Sequence, residues 1–172
     1  MLPFRPTPFL LLFFIFQGLF LLPLQAQRWR HTFEFSAGSD IKDFIRLEDQ
    51  SILALVNSDS INLMKISAEG EEVWRKTYGQ GYGNFLVRKE DHLFIGGAQA
   101  QENQGFIDTA MLYKLDLTGE LVWAKKYDWG YLSSIHFSGP GDIYLGGNKE
   151  VLGSSSHSIL YKVNGEGEVK WS

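Results

Sequence analysis

The sequence predicts an all-β protein, a partial β-propeller of about three four-stranded antiparallel blades, each of about 48 residues. Three observations carry this prediction. Tryptophan recurs at positions 29, 74, 123 and 171, with spacings of 45, 49 and 48 residues. Three short phrases recur in the same order at that period. No segment of ten or more residues has the periodicity of an amphipathic helix.

The repeated phrases surround each tryptophan. In one phrase a Lys stands nine residues before Trp, a Gly stands four residues before it, and Glu follows that Gly. Its copies are residues 65–74, 114–123 and 162–171. A second phrase runs from Trp to an aromatic residue four positions later. Its copies are residues 29–33, 74–78 and 123–127. The third phrase is a short apolar run that ends in Gly-Gly. Its copies are residues 93–97 and 144–147, with residues 54–58 as a degenerate first copy.

The second half of each period predicts a β-hairpin. Residues 111–115 form a short apolar run, and residues 121–127 alternate between apolar and polar positions. A type I turn followed by a left-handed Gly is a common connection of this length, because a side chain would clash there. A short polar residue that opens the turn can cap nearby N–H groups. The Gly positions are 70, 119 and 167, and the capping positions are Ser67, Asp116 and Asn164.

Two further strands precede each hairpin. In one period they are residues 84–88 and 93–95, and in the next period they are residues 134–137 and 142–145. The Gly-Gly pair that ends the second strand indicates a β-bulge or a close backbone approach. A single blade cannot bury both of its faces, so we expect the recurring Trp to pack between neighbouring blades.

The N-terminal segment predicts export. Residues 1–26 carry a single charge, at Arg5, and residues 9–22 are apolar except for Gln17 and Gly18. A basic start, an apolar middle and a small residue at the cut, here Ala26, are typical of a secretory signal peptide. A retained membrane anchor is the alternative, although a spanning helix needs about 20 apolar residues. We expect export by the Sec route to the periplasm, the cell surface or the medium, and no membrane span after cleavage.

The predicted domain limits follow from the repeat. We expect residues 1–26 to be the signal peptide and residues 27–34 to be a closing strand. Residues 35–78 are the first predicted blade, residues 79–127 the second, and residues 128–172 a third, incomplete blade. Propellers close with about four to eight blades. The sequence therefore predicts the N-terminal part of a longer protein, closure by oligomerisation, or an open stack that self-associates through an exposed blade face.

Composition excludes several classes of function. Beyond residue 26 the chain has 15 basic and 20 acidic residues, and this net charge of −5 argues against nucleic-acid binding. The chain has no Cys, which excludes disulfides, thiol nucleophiles and Cys-based metal sites. It also excludes the lipidated Cys of a typical bacterial lipoprotein.

The run from Leu115 to Trp123 resembles the tryptophan-docking repeat of quinoprotein-like (PQQ-type) propellers, which has Asp, then Thr-Gly, then Trp four residues after Gly. This sequence keeps the Gly-to-Trp spacing in three copies, and its Asp116 stands one residue closer to Thr-Gly. It is also similar to secreted propeller repeat proteins of Gram-negative bacteria, which use the same strand phrase without a cofactor. The resemblance covers most of residues 28–172 and implies a scaffold. The adjacent cysteines of the quinone enzymes are absent, so it implies no cofactor site.

The titratable and glycine-rich motifs favour structural roles. The four His, at positions 31, 92, 136 and 157, form no zinc pattern. Residues 154–157 place Ser near His, but the strand-to-helix elbow of a nucleophile is missing. Residues 79–83 are glycine-rich, but a strand follows, so an inter-blade loop is the better interpretation than a phosphate loop. No catalytic, cofactor-binding or metal-binding residue is therefore predicted.

For three surface segments, a binding role is the alternative to a structural role. The acidic residues Asp40, Asp43, Glu48 and Asp49 do not have the spacing of a calcium loop and favour a solvated turn. Residues 99–105 form the longest polar loop, of the kind that binds partners at a propeller rim. Trp129 and Tyr131 form an aromatic pair that either packs internally or stacks on a sugar ring or a partner.

These observations favour an exported, non-catalytic propeller scaffold that binds a protein or a glycan at its loop rims. A quinoprotein-like propeller enzyme or a propeller hydrolase is the second hypothesis, and it needs polar groups from several blades converging on a channel. A fragment without an independent function is the third.

Overall fold

The computed structural model describes residues 30–36, 38–100, 109–139, 141–149 and 157–172. The chain divides at Arg30, and the unit His31–Ser172 carries all the described strands. The predicted signal peptide lies outside the described residues. Where the chain is described, no helix has the length and hydropathy needed to cross a membrane.

Ten antiparallel strands make up the fold, and the prediction of an all-β protein is confirmed. The strands are β1 (Asp40–Arg46), β2 (Ile52–Asn57), β3 (Ser60–Ile66), β4 (Glu72–Lys89), β5 (His92–Gln99), β6 (Thr109–Asp116), β7 (Leu121–Ser138), β8 (Asp142–Lys149), β9 (His157–Val163) and β10 (Val169–Trp171). Each strand is hydrogen-bonded to its neighbours in chain order, which gives one open ten-stranded sheet. Within the described residues, β1 and β10 are the two edges of this sheet.

The two longest strands divide the sheet into three groups of four. Residues 72–80 of β4 pair with β3, and residues 81–89 of the same strand pair with β5. In β7, residues 121–129 pair with β6 and residues 130–138 pair with β8. We call the resulting sets group I (β1 to the first half of β4), group II (the second half of β4 to the first half of β7) and group III (the second half of β7 to β10).

The predicted inter-blade loop at residues 79–83 is wrong, because this segment lies inside β4. The predicted limits after residues 78 and 127 lie two residues before the points, after residues 80 and 129, at which β4 and β7 change partners. The reason lies in the glycines, since Gly79 and Gly81 have φ values of +113° and +132° that side chains rarely adopt. They let the strand change partners without breaking its ladder of hydrogen bonds.

The predicted hairpin turns are confirmed in all three groups. Gly70, Gly119 and Gly167 adopt φ values of +95°, +80° and +74°. Asp116 Oδ1 accepts hydrogen bonds from the backbone N of Thr118 at 2.8 Å and of Glu120 at 2.9 Å. The equivalent capping bonds are made by Ser67 and Asn164. The turn is therefore encoded locally by a short polar residue and the left-handed Gly three positions later.

The Gly-Gly pairs mark both a bulge and a close approach, as predicted. The register of β4 on β5 shifts between Gly83 and Phe85, opposite Gly97 and Gly96. A methyl group at Gly96 would stand 2.0 Å from Cζ of Phe85. The same shift occurs in group III between Leu132 and Ser134, opposite the second Gly-Gly pair. A larger residue at Gly97 or Gly147 would collide with the backbone of the neighbouring strand, at Tyr82 and Tyr131 respectively.

The core lies between successive groups. One cluster joins groups I and II. It comprises Leu53, Leu55, Ile61, Leu63, Leu86, Leu93, Ile95, Met111, Tyr113 and Leu115. A second cluster joins groups II and III. It comprises Phe85, Phe94, Ala110, Leu112, Leu132, Ile143, Leu145, Tyr161 and Val163. Group II therefore presents alternate residues of its strands to group I and to group III.

A smaller third cluster covers the face of group I that points away from group II. Phe33 and Phe35 pack there against Ala54, Val56 and Met64. The Arg75 guanidinium lies 3.8 Å from the centre of the Phe35 ring, and it donates a hydrogen bond to the Glu34 carbonyl oxygen. Residues 30–34, the described part of the predicted closing strand, lie outside the ten strands.

Candidate functional site

A repeated contact docks each group onto the hairpin turn of the next. In the contact between groups I and II, a methyl group added at Gly119 would stand 2.9 Å from Cη2 of Trp74. The Tyr78 hydroxyl donates a hydrogen bond to the Gly119 carbonyl oxygen at 2.8 Å. Lys76 Nζ donates to the Thr118 carbonyl oxygen at 2.8 Å and pairs with Glu120. The residues at Trp, Trp+2 and Trp+4 thus all contact one turn.

The contact between groups II and III repeats this geometry. A methyl group at Gly167 would stand 2.9 Å from Cη2 of Trp123 and 2.8 Å from Cγ of Lys125. The Tyr127 hydroxyl donates to the Gly167 carbonyl oxygen at 3.0 Å. The prediction that the recurring Trp packs between neighbouring units is confirmed at these two positions. Trp29, the first of the series, lies outside the described residues.

The electrostatics of the docking contacts follow from burial and from the turn. Burial, together with the charges of Glu120 and Asp116, raises the pKa of Tyr78 well above its usual range. Burial likewise raises the pKa of Tyr127. Both phenols therefore stay protonated and remain hydrogen-bond donors. The hydrogen bonds from Thr118 and Glu120 lower the pKa of Asp116, so the turn keeps its carboxylate cap.

The last group exposes a face that its predecessor buries. By register, Tyr144, Leu160 and Trp171 of group III stand where group II has Phe94, Leu112 and Trp123. Leu112 is 0% exposed beneath group III, whereas Leu160 is 50% exposed and Trp171 is 47% exposed. We call Tyr144, Leu160 and Trp171 the outer face of group III. It is an apolar surface that no other group of the described residues covers.

The opposite end of the array also exposes apolar side chains. Ile41 and Phe44 on β1 are 56% and 64% exposed. Phe44 stands at the position of Leu86, which group I buries. The two uncovered ends therefore carry the two complementary kinds of face that meet inside the chain.

A cavity of about 340 Å³ opens at the junction of groups II and III. We call it the seam cavity. It is lined by Lys89, Glu90, His92, Phe94, Lys114, Phe137, Gly139, Gly141, Ile143 and Gly165. Its volume lies at the lower end of the range of about 300–1,000 Å³ that is usual for small-molecule sites. Lys114 lies on its wall, with Nζ 6.0 Å from the centre of the Phe94 ring and 5.9 Å from that of Trp123.

The histidines are separated from one another, and no group of three or more potential metal ligands occurs among the described residues. His31 Nδ1 stands 3.8 Å from Glu71. His136 and His157 lie on exposed positions of β7 and β9. His92 opens β5 and lines the seam cavity. This is a placement that sequence reasoning missed, because it depends on the packing of group III against group II.

The acidic stretch has structural roles. Asp43 Oδ2 accepts a hydrogen bond of 2.8 Å from the Leu86 backbone N, which ties group I to group II. Asp49 accepts hydrogen bonds from Ser51 and pairs with Lys65. These interactions lower the pKa of Asp49 to about 2, and the hydrogen bond from the Ser51 hydroxyl contributes most to the shift.

The remaining predicted segments lie only partly within the described residues. Residues 154–156 and residues 101–105 of the long polar loop lie outside them. Tyr131 packs with its ring centre 6.4 Å from that of Tyr82, while Trp129 is 41% exposed. Of the predicted aromatic pair, Tyr131 thus contacts another ring and Trp129 faces solvent.

Comparison with known proteins identifies no family for this chain. No protein-family model matches it, and no curated protein matches it. Among solved structures, it is similar to a protein of unknown function from Bacteroides caccae, whose crystal structure was determined at 1.35 Å resolution. The identity is 12%, the TM-score is 0.33, and the match covers 81% of this chain and 68% of that chain. A likeness at this TM-score carries no argument about function.

Proposed function

We propose that this chain is an exported, non-catalytic scaffold of the β-propeller type, whose role is to bind other proteins. The single observation that carries the proposal is the pair of unlike apolar ends, the outer face of group III and the exposed Ile41 and Phe44 of group I. Exposed apolar patches of this kind mark interaction sites on proteins. The repeated docking of Trp on a Gly turn supports a propeller arrangement, since propeller blades pack face to face around a ring.

The occupant that we propose for the outer face of group III is group I of a second copy of this chain. Inside the chain, the equivalent face of group I packs against Leu86 of group II. Leu86 stands at the register position that Phe44 takes in group I. The same contact between two copies is heterologous, and heterologous contacts can close into rings. Two copies joined at both ends would assemble six groups, within the range of about four to eight blades. Phe33 and Phe35 occupy only part of group I's outer face and leave Phe44 open.

Sedimentation equilibrium of the purified full chain tests this proposal. We expect a dimer at micromolar concentration, and we expect Leu160→Glu and Phe44→Glu each to shift the chain to monomer, because each places a charge in the contact. Val122→Glu is the matched control, since Val122 is also 50% exposed but lies on the first half of β7, away from either end. A wild-type chain that is monomeric, or a dimer that survives both end variants, would overturn the proposal.

Export is tested on the same preparation. The chain is produced with residues 1–26 in a Gram-negative host, and the intact mass of the recovered protein is measured. Cleavage after Ala26 with recovery from the periplasm or the medium supports the exported scaffold. An uncleaved chain in the membrane fraction would instead indicate a retained anchor.

A further inference from the structure

The three groups differ in how they neutralise one repeated lysine. Lys65 Nζ stands 3.0 Å from Asp49 Oδ2, and Lys162 Nζ stands 2.8 Å from Asp142 Oδ2. The equivalent Lys114 forms no ion pair with any carboxylate among the described residues. The acid comes from the turn before β2 in group I and from the first residue of β8 in group III. The corresponding turn of group II contains Glu90 and Asp91, but neither forms an ion pair with Lys114.

At the position that Asp142 takes in group III, group II has a histidine. Asp142 is the first residue of β8, and His92 is the first residue of β5, opposite the end of the preceding strand in each case. In group III, this register lets the carboxylate reach the lysine ammonium. In group II, the same register position holds His92, which lines the seam cavity together with Lys114. An imidazole cannot supply the negative charge.

The unpaired lysine faces the seam cavity. Of the side chains that line this cavity, Glu90 is the one carboxylate, and it already pairs with Lys89 at 3.3 Å on the exposed rim. The floor is apolar, with Phe94 and Phe137 in edge-to-face contact at 5.0 Å between ring centres. The far wall is formed in part by Gly139, Gly141 and Gly165, which leave room because they carry no side chains. Positive charge above an apolar floor is complementary to an amphipathic anion.

We infer that the seam cavity binds a small organic carboxylate whose acid group pairs with Lys114 and whose apolar body lies against Phe137. The carboxylate of the ligand supplies to Lys114 the negative charge that Asp142 supplies to Lys162 in group III. A charged hydrogen bond of this kind is about twice as strong as a neutral one, and it orients the ligand in the cavity. This inference goes beyond the proposed scaffold role and does not depend on self-association.

An amide NMR titration of the full chain with phenylacetate tests the inference. We expect saturable shifts at Gly139, Gly141 and Gly165, which mark the cavity wall. Acetate lacks the apolar body and 2-phenylethanol lacks the charge, so each should bind at least about ten-fold more weakly, since a charged hydrogen bond contributes on that scale. Inorganic phosphate is the fourth probe, and we expect no saturable shifts with it.

Two variants and one control variant test whether Lys114 is the charge that binds the ligand carboxylate. Lys114→Gln should weaken phenylacetate binding by about ten-fold or more, while the exposed Lys126→Gln should leave it unchanged. His92→Asp restores the acid that group III carries, so it should abolish binding and also raise the denaturation midpoint. The second readout shows that this variant folds.

Three results would overturn the inference. The first is the absence of shifts at the cavity residues with about 10 mM phenylacetate, a concentration that detects even millimolar affinity. The second is equal binding of phenylacetate and 2-phenylethanol. The third is unchanged binding of phenylacetate in Lys114→Gln. Phosphate binding as tight as that of phenylacetate would also overturn the assignment of the ligand class.

Discussion

The faces of groups II and III that point toward the C-terminal end carry equivalent residues, but only the face of group II is buried. In group II, Leu112 and Phe94 are buried by group III, and Trp123 contacts the Gly167 turn. In group III, Leu160 is half exposed, and Trp171 contacts the ring of Tyr144 at 6.1 Å between ring centres. The difference teaches that the repeat encodes a face for packing, whereas burial of that face depends on a neighbour.

The largest expected effect compares the two equivalent leucines. Leu112→Ala removes side-chain atoms from a fully buried site and should lower the free energy of unfolding by about 2–5 kcal/mol. Leu160→Ala should cost less than about 1 kcal/mol in the monomer, because half of that side chain already contacts water. Urea denaturation of both variants measures the difference. Equal losses of stability would show that the two faces are covered alike.

The second comparison isolates the docking contact from backbone strain. Gly119 and Gly38 have similar φ values of +80° and +83°, but a methyl group at Gly38 would meet nothing within 4 Å. Both Ala variants bear the left-handed penalty of about 1–2 kcal/mol. Gly119→Ala should cost about 1–3 kcal/mol more, because it also overpacks the contact with Trp74. Equal stability of the two variants would show that the Trp74 ring does not pack against the turn at Gly119.

These turns are also the part of the fold that sequence predicts best. A short polar residue followed three positions later by Gly is a local signal, and the geometry of residues 116–119 confirms it. Residues 79–83 were predicted as a loop, although they form the middle of β4. Their glycines do indicate irregular backbone, but the hydrogen bonds that make the segment a strand come from β3 and β5. Such distant partners leave no local signal.

The seam cavity could not be predicted for the same reason. His92 and Lys114 are 22 positions apart in sequence, and each has an unremarkable local setting. The two groups must pack before a cavity exists between them. The Lys-to-Trp spacing of the repeat did identify Lys114 as equivalent to Lys65 and Lys162, and a search for the acid of each lysine is the signal that could have singled it out.

A smaller effect tests the polar part of the docking contact. Tyr78→Phe removes the hydrogen bond to Gly119 and should cost about 0.5–1.5 kcal/mol. Tyr113 is the control, because its ring centre lies 5.9 Å from that of Tyr78, while its buried hydroxyl has no partner among the described residues. Tyr113→Phe should be neutral or stabilising, since it removes an unsatisfied group. Urea denaturation that ranks Tyr113→Phe below Tyr78→Phe in stability would contradict this assignment.

The smallest expected effect is a loss of stability in acid. Hydrogen bonds, above all from Ser51, lower the pKa of Asp49 to about 2 from its usual 3.8, and hydrogen bonds also lower the pKa of Asp116 and of Asp142. The unfolded chain therefore binds protons first as the pH falls. The stabilisation is complete above the unfolded pKa and is lost between about pH 4 and pH 2.

Urea midpoints measured from pH 5 down to pH 2 follow this loss, which should be shallower in Asp49→Asn. A wild-type midpoint that does not fall over this interval would contradict the assigned pairings. The effect is expected to be small because Asp49 lies at the surface, where salt and water weaken an ion pair.

The most direct measurement is methyl NMR of Leu112 and Leu160 in the presence of a neutral, soluble nitroxide, recorded over a range of protein concentrations. The Leu112 methyl groups should stay sharp at every concentration, because group III covers them. The Leu160 methyl groups should broaden strongly in dilute samples and become protected as a second copy covers the outer face. Leu160 signals that are protected at the lowest concentration, or whose broadening does not change with concentration, would contradict the uncovered face and its proposed partner.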